Sequence, residues 1–370
     1  MSFRVVVCGG GIAAAEALLR LRRLAGGAVE LRVIAPNDEF VYRPLAVREP
    51  FTYLPPRRYP LRQITADCGA QLTKDQLRSV DRDKRIVHTG DGSDVGYDAL
   101  LVAVGAREVE PYGHPVTFRA ADAAATFGEV IKAIELGRAS RVAFVQPIGP
   151  CWPLPLYELA LMTATHADEL GIRGLELALV TPEPRPLAVF GGAVAEVVAD
   201  RLARAGVEVH TESLARIPAQ GTLVVEPRGV VLQPDRVLAM PRISGPSITG
   251  LPGGAQGFVP IDRHCCVPDT GGRVFAAGDA ANYPIKHGGL GAQMADSAAS
   301  AIATLAGAVD EPQPFRPVIR GRLLTGAEPI YMSARPVGAE SFASEVFEEP
   351  PWPAGDKIVA DELGRYLVSL

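Results

Sequence analysis

One short string limits the fold more than any other feature of the chain. It is Gly9-Gly10-Gly11-Ile12-Ala13-Ala14, which reads G-x-G-x-x-A. Residues 4–8 (RVVVC) precede it, and their β-branched run predicts a buried strand. Residues 12–24 follow, Ala- and Leu-rich with apolar positions at helical spacing, and residues 29–34 predict a second strand. That completes a βαβ unit in about 30 residues. In such a unit each small residue has a task. The first glycine permits the tight turn, the second lets backbone approach a pyrophosphate, and the small third residue lets helix and strand pack closely. The helix N-terminus then presents unpaired N–H groups to phosphate. Gly9, Gly11, Ile12, Ala13 and Ala14 are therefore expected to hold a dinucleotide. The acid that usually grips the ribose at the end of the second strand is missing, since that position is Ala35. Asn37 or Asp38 is left to replace it, unless backbone or water makes the contact.

The chain has 370 residues, room for two domains at roughly 150 residues each. A second βαβ pattern begins at residues 141–145 and continues through a helix at 156–170, a strand at 175–180, a helix at 193–205 and a strand at 207–210. Residues 71–105 read as a meander ending in a buried strand closed by Gly105. Residues 273–277 form an apolar strand that runs into GDAANYPIKHGG and an Ala-rich helix at 290–305. The net charge of −5 argues against non-specific nucleic-acid binding, which depends on Lys and Arg at phosphates. Five cysteines without a Cys-x-x-Cys exclude a disulfide framework and a zinc knuckle. The histidines show no ligand spacing, so no metal is expected. The uncharged run 142–157 contains four prolines and does not suit a spanning helix. The sequence suggests a cytoplasmic protein, with at most a peripheral contact on the inner face of the cell membrane.

Two further segments bring a family into view. Tyr97-Asp98-Ala99-Leu100-Leu101-Val102-Ala103-Val104-Gly105-Ala106 resembles the middle segment of two-dinucleotide-domain flavoproteins, and Arg273-Val274-Phe275-Ala276-Ala277-Gly278-Asp279-Ala280 resembles their second FAD motif. With the glycine string, they stand in the order of the pyridine nucleotide–disulfide oxidoreductase superfamily, from residue 4 to about 305. The resemblance implies an α/β fold of two Rossmann-like, doubly wound, three-layer domains. A discontinuous FAD-binding domain would span 1–110 and 246–305, a second nucleotide-binding-like domain 111–245, and a C-terminal region 306–370 would pack near the flavin, with Phe347 and Trp352 over the flavin domain. It also implies FAD as cofactor. Ala103 and Gly105 would bring backbone to it, Asp279 after Gly278 would take a ribityl hydroxyl, and Val80 would supply a backbone contact to adenine.

Other segments point to a branch of that superfamily. No Cys-x-x-x-x-Cys follows the second strand, which argues against a glutathione-reductase-like dithiol enzyme. Phe40-Val41-Tyr42-Arg43-Pro44-Leu45 instead resembles the quinone-linked branch, sulfide:quinone oxidoreductases and type II NADH dehydrogenases, and places Arg43 and Pro44 beside the flavin. After the strand at 141–145 stands Gln146-Pro147-Ile148-Gly149-Pro150-Cys151-Trp152-Pro153-Leu154-Pro155. Prolines remove the N–H donors of a phosphate cradle, which argues against NAD(P)H there; Glu183 is the one acid placed for its ribose. Cys151, followed by Tyr157-Glu158, resembles the redox-cysteine stretch of sulfide:quinone oxidoreductases, where a helix N-terminus would favour the thiolate. The second redox cysteine of that family has no counterpart, because Cys265 and Cys266 lie before Gly278. Lys286-His287-Gly288-Gly289 resembles the lysine loop of the quinone-linked family. Lys286 and Gly289 would contact the flavin, Lys286 would stabilise its reduced anion, and His287 would exchange a proton with quinone. The expected function is an FAD-dependent oxidoreductase passing electrons from sulfide or another small reductant to a quinone-type acceptor. The alternatives are an NAD(P)H-dependent flavin dehydrogenase and an FAD-binding redox sensor with little turnover. The sequence leaves monomer and homodimer open.

Overall fold

The computed structural model describes residues 2–52, 55–338, 342–352 and 357–370. Two parallel sheets of five strands organise it. The first contains β1 (Phe3–Cys8), β2 (Val29–Ala35), β3 (Ala70–Lys74), β4 (Ala99–Val102) and β10 (Val274–Ala276), in the spatial order β10-β4-β1-β2-β3. The second contains β5 (Val116–Thr117), β6 (Arg141–Val145), β7 (Glu176–Val180), β8 (Val207–His210) and β9 (Arg236–Ala239), in the order β5-β9-β6-β7-β8. The unbroken apolar runs RVVVC and ALLV fit central strands covered on both faces; Val5 to Cys8 and Leu100 to Val102 are fully buried. Both sheets are doubly wound, so each opens a crevice at the carboxyl ends of its strands.

The helices follow the sequence pattern closely. They are α1 (Ile12–Ala25), α2 (Ala123–Glu135), α3 (Leu154–Glu169), α4 (Gly192–Arg204), α5 (Gly288–Leu305) and α6 (Asp361–Ser369). The alanine-rich faces of α1 and α5 pack directly against each other. Small residues set that spacing: a Cβ on Gly291 would lie 3.1 Å from the Gly278 Cα, and one on Gly278 3.2 Å from the Ala13 Cβ. Burying Leu18 and Leu21 completely contributes about 1.5–3 kcal/mol each in area bookkeeping. The meander expected within 71–105 is present as Leu77–Asp81, Ile86–Thr89 and Asp94–Gly96.

A short antiparallel ribbon, Arg107–Val109 with Arg242–Ser244, carries the chain between the two sheets. The C-terminal region departs from expectation. Its antiparallel sheet, β11 (Ile319–Leu323), β12 (Ile330–Pro336) and β13 (Phe342–Phe347), sends Ile319, Leu323 and Met332 into the core of the second sheet, beside Phe190. Trp352 lies edge-on to Tyr331 on β12, ring centroids 5.8 Å apart, rather than over the flavin-motif unit. Among the described residues after β13, those from Lys357 onward return to the first sheet, and there the chain forms α6, an amphipathic helix that the Pro-rich tail did not advertise. Ile358 and Leu363 pack with Ala15, Phe40 and Ile64. No helix among the described residues is long and apolar enough to cross a membrane.

Candidate functional site

A cavity of about 730 Å³ opens at the carboxyl ends of the first sheet, within the range of cofactor pockets. The loop after β1 forms its floor. Gly9 has φ +132°, and a Cβ there would lie 2.1 Å from the Ala103 carbonyl oxygen. Only glycine allows the loops after β1 and β4 to approach that closely. Gly11, Ile12, Ala13, Asn37, Arg43, Pro44, Ala103, Gly105, Gly278, Asp279 and Lys286 all line the cavity. The topology gathers here most of the fifteen positions expected to contact the cofactor, from segments up to about 280 residues apart.

Three of the expected contacts fall elsewhere. Ala14 is buried in the α1 packing and Gly289 sits behind His287, neither on the cavity wall. Val80 also lies outside the wall. Its N–H donates to the Thr249 carbonyl at 2.9 Å and is therefore spent within the protein. The wall at that end is built by Gln76, Leu77 and Arg78, two to four residues earlier on the same segment. The register is set by the bridge between Ser79 and Thr249, residues 170 apart in sequence, which no local pattern encodes.

The charged groups of the cavity are specific. The Asp279 carboxylate accepts no hydrogen bond from the described residues; burial raises its pKa, against the pull of the Lys286 charge. It is free to accept a hydroxyl. Lys286 is held differently from expectation: its ammonium donates to the carbonyls of Ala281 at 2.6 Å and Asp279 at 3.2 Å, and lies 3.5 Å from the Phe258 ring centre. Burial lowers it to about 8, opposed by Asp279. Its geometry pins the turn after Gly278.

His287 requires a correction. It caps α5: its Nδ1 accepts the Leu290 N–H at 3.3 Å, which leaves the ring hydrogen on Nε2. The ring lies against Trp152 at 4.7 Å. Burial, with the Lys357 charge adding, pushes its pKa down to about 3. The cap commits Nδ1 to Leu290, so the proton exchange that its sequence position suggests is left to Nε2 alone.

Cys151 requires another. It is partly buried, yet Trp152, Leu154 and Pro155 line the cavity and Cys151 does not. Burial raises the thiol to about 12, and the Glu183 charge adds to the rise. The thiolate expected from a helix N-terminus is not favoured here. Cys265 is fully buried, and burial also raises both Cys265 and Cys266.

Behind Cys151, at the carboxyl end of the second sheet, polar side chains bond to one another. The Tyr157 hydroxyl donates to Glu183 Oε2 at 2.6 Å, and the Thr181 hydroxyl to Gln146 Oε1 at 2.7 Å. Burial raises Glu183 to about 7, against its bonds from Tyr157 and Thr181. Glu183 therefore faces inward, committed to Tyr157 rather than presented to a ribose.

Sequence reasoning missed one group altogether. Lys357 lines the cavity and pairs with the fully buried Glu158 of α3 at 2.5 Å. Glu158 also accepts the Leu324 N–H at 3.0 Å. Burial lowers the lysine and raises the glutamate, each opposed by its partner. The one available signal was Glu158 beside Tyr157; nothing local marks a lysine in the tail as its partner. Among the described residues no cluster could hold a metal ion.

The residues present fit FAD. The cradle between Gly9 and Ala103 would be filled by any Cβ, the carboxylate of Asp279 stands unpartnered at the wall, and the N-terminus of the long helix α5 points there with Gly288 on the wall. The comparisons with known proteins agree. Residues 3–138 match the family model described as pyridine nucleotide-disulphide oxidoreductase. No curated protein matches in sequence. Among solved structures, the sulfide:quinone oxidoreductase of the hyperthermophilic bacterium Aquifex aeolicus is similar with TM-score 0.83 and 20% identity, over 94% of this chain and 87% of that one. A ferredoxin reductase from Rhodopseudomonas palustris is similar with TM-score 0.66 and 19% identity, over 93% and 88%. An NAD-dependent persulfide reductase from A. fulgidus is similar with TM-score 0.65 and 17% identity, over 91% and 65%. Three FAD-type segments meet in one cleft, the family model spans the first two of them, and the whole chain shares the fold of these flavoprotein structures; the chain is an FAD-dependent oxidoreductase.

Proposed function

We propose that this oxidoreductase passes electrons from sulfide or another small reductant, through FAD, to a quinone-type acceptor, without a nicotinamide nucleotide or a dithiol in its cycle. One observation carries the reading: the loop at 146–155 offers no phosphate cradle and closes on the cleft with Trp152 against His287, while the acid behind it, Glu183, is spent on Tyr157. A nicotinamide nucleotide needs both a cradle and a ribose acceptor. The high pKa of Cys151 and the absence of any cysteine after Cys266 argue against a disulfide relay. The apolar walls at Trp152, Pro155, Phe118 and Ile358 suit a planar, apolar acceptor.

Bound FAD would supply the two-electron carrier. The protein's part is binding and electrostatics. Gly9, Gly11 and the α1 N-terminus would meet the pyrophosphate, and Asp279 would accept a hydroxyl. The α5 N-terminus and the Lys357 ammonium place positive charge where negative charge would accumulate on reduction. His287, fixed as a neutral Nε2–H tautomer by its cap, can donate a hydrogen bond but does not titrate near neutrality. A quinone-type acceptor matches the quinone-linked likeness of residues 40–45.

An anaerobic titration of the purified protein, with sulfide, NADH and NADPH in matched cuvettes, tests this through the visible flavin band. Bleaching by sulfide and not by either nucleotide is expected, followed by recovery on adding a soluble quinone. Bleaching by NADH alone would overturn the reading in favour of a dehydrogenase. A flavin that none of the three bleaches would leave a sensor role in its place.

A further inference from the structure

Helix α6 cannot easily hold itself together. It has nine residues, and its N-cap position is Ala360, whose side chain offers no acceptor. Isolated helices of this length are marginal in water, and an Ala in place of a capping residue costs about 1 kcal/mol. The missing cap comes from the other end of the sequence. Glu16, on α1 just after the glycine string, is fully buried, and its two carboxylate oxygens accept the N–H of Glu362 at 2.9 Å and of Leu363 at 2.6 Å. Burial raises its pKa to about 7, opposed by these two N–H bonds, with the Asp361 and Glu362 charges adding to the rise.

Further contacts hold α6 to the first sheet's helices. Glu362 pairs with Arg23 at 2.5 Å and Arg20 at 3.3 Å, both on α1. The Tyr366 hydroxyl donates to Asp67 at 2.6 Å. Leu363 is buried against Ala15 and Phe40. The residues immediately before α6 are the ones that enter the cofactor cleft. The Ile358 N–H donates to the Tyr42 hydroxyl at 3.1 Å, and its side chain reaches Gly288, where Ile12 also arrives. Lys357 next to it pairs with Glu158. Thus α6 is the anchor of a strap whose leading residues form the cleft wall.

We infer that Glu16 is a positioning residue for the cofactor cleft: by capping α6 from α1, it seats Lys357 and Ile358 in the wall and so controls how firmly the cofactor is retained. The inference rests on the FAD assignment only for the last link. The cap itself is made by residues of this chain, so the two can fail separately.

The test is hydrogen exchange on the full-length protein, read together with the rate of flavin release. Glu16→Gln keeps one acceptor and turns an NH₂ toward the second N–H. Amide exchange over residues 362–369 is expected to rise about tenfold, the range of a lost cap, and flavin release to accelerate in step. Adding Ala360→Ser to that variant supplies a local cap without a tie to α1. It should slow exchange within α6 while leaving flavin release fast. If Glu16→Gln leaves exchange at 362–369 unchanged, or if the local cap restores flavin retention as well, the positioning role is wrong. Should Glu16→Gln fail to fold, the wild-type protein still decides: adding FAD to the apoprotein must slow exchange at 362–363 as well as at 357–358. Protection confined to 357–358 would overturn the inference. A protein that binds no FAD would refute the cofactor assignment instead, with the exchange response of Glu16→Gln still judging the cap.

Discussion

The carboxyl ends of the two parallel sheets were built on one plan and put to opposite uses. Both sheets have five strands, and both lead from a central strand through a loop into a helix. After β1 the loop is three glycines that line the cavity; after β6 it is rich in proline, and its end, Trp152, Leu154 and Pro155, contributes apolar wall. In the first, an unpartnered carboxylate, Asp279, faces a cavity. In the second, the acid Glu183 is bound to Tyr157 and raised to about 7 by burial. The difference teaches that a Rossmann-like topology supplies a crevice, and that side chains decide whether the crevice takes a ligand or becomes core.

The largest effect that would break this comparison is expected at Gly9. A Gly9→Ala protein must place a Cβ 2.1 Å from the Ala103 carbonyl, so its purified form should carry almost no flavin, measured by the visible band against protein absorbance. Pro150→Gly in the other loop should leave flavin content unchanged. Flavin retained in Gly9→Ala would mean that the first loop is not the cradle.

Next in size is the pair that joins the two regions, Lys357 with Glu158. Lys357→Met strands a buried carboxylate, and denaturant unfolding should register a loss of about 3–5 kcal/mol. The double variant Lys357→Met with Glu158→Gln should regain most of it. If the double variant is no better than the single, the pair is not coupled as the geometry requires.

A smaller effect belongs to Glu183. Its pKa in the fold, about 7, lies above its ordinary value of 4.5. The folded state thus favours the protonated form. Its contribution is fully present below about 4.5 and is lost as pH rises through 7. Glu183→Gln should therefore flatten the pH dependence of the melting temperature across that window, without lowering flavin content. Parallel pH curves for the two proteins would show that Glu183 is not the buried acid described.

The smallest change is expected from Cys151→Ser. A thiol raised to about 12 is protonated at neutral pH and is a weak nucleophile, so reduction of the flavin by sulfide should change by less than about twofold. A tenfold loss would restore Cys151 to the chemistry and would require the cleft to open toward it.

The glycine string and the β-branched runs announced the first βαβ unit almost to the residue, because a tight turn, a close backbone approach and a doubly covered strand each demand a residue type where it stands. The Gly-Asp segment was equally legible, since Asp279 follows a glycine with φ +73° at a strand end. The site's electrostatics were not. His287 looks like a titrating group in sequence, and only its burial and the Leu290 N–H make it a neutral cap. Val80 looked like a cofactor contact until its N–H was found on Thr249. Lys357 and Glu16 carry no local signature at all, because each takes its meaning from a partner 199 or 346 residues away.

The sequence by itself therefore determined the layered α/β architecture, the cofactor class and the openness of the first loop, since backbone conformation and hydrophobic period are properties of neighbouring residues. The tertiary structure alone decided how buried carboxylates and amines are paired, that Cys151 stands off the cleft wall, and that the residues leading into the last helix, Lys357 and Ile358, form part of that wall. Those depend on desolvation and on contacts between distant segments, and only folding brings them together.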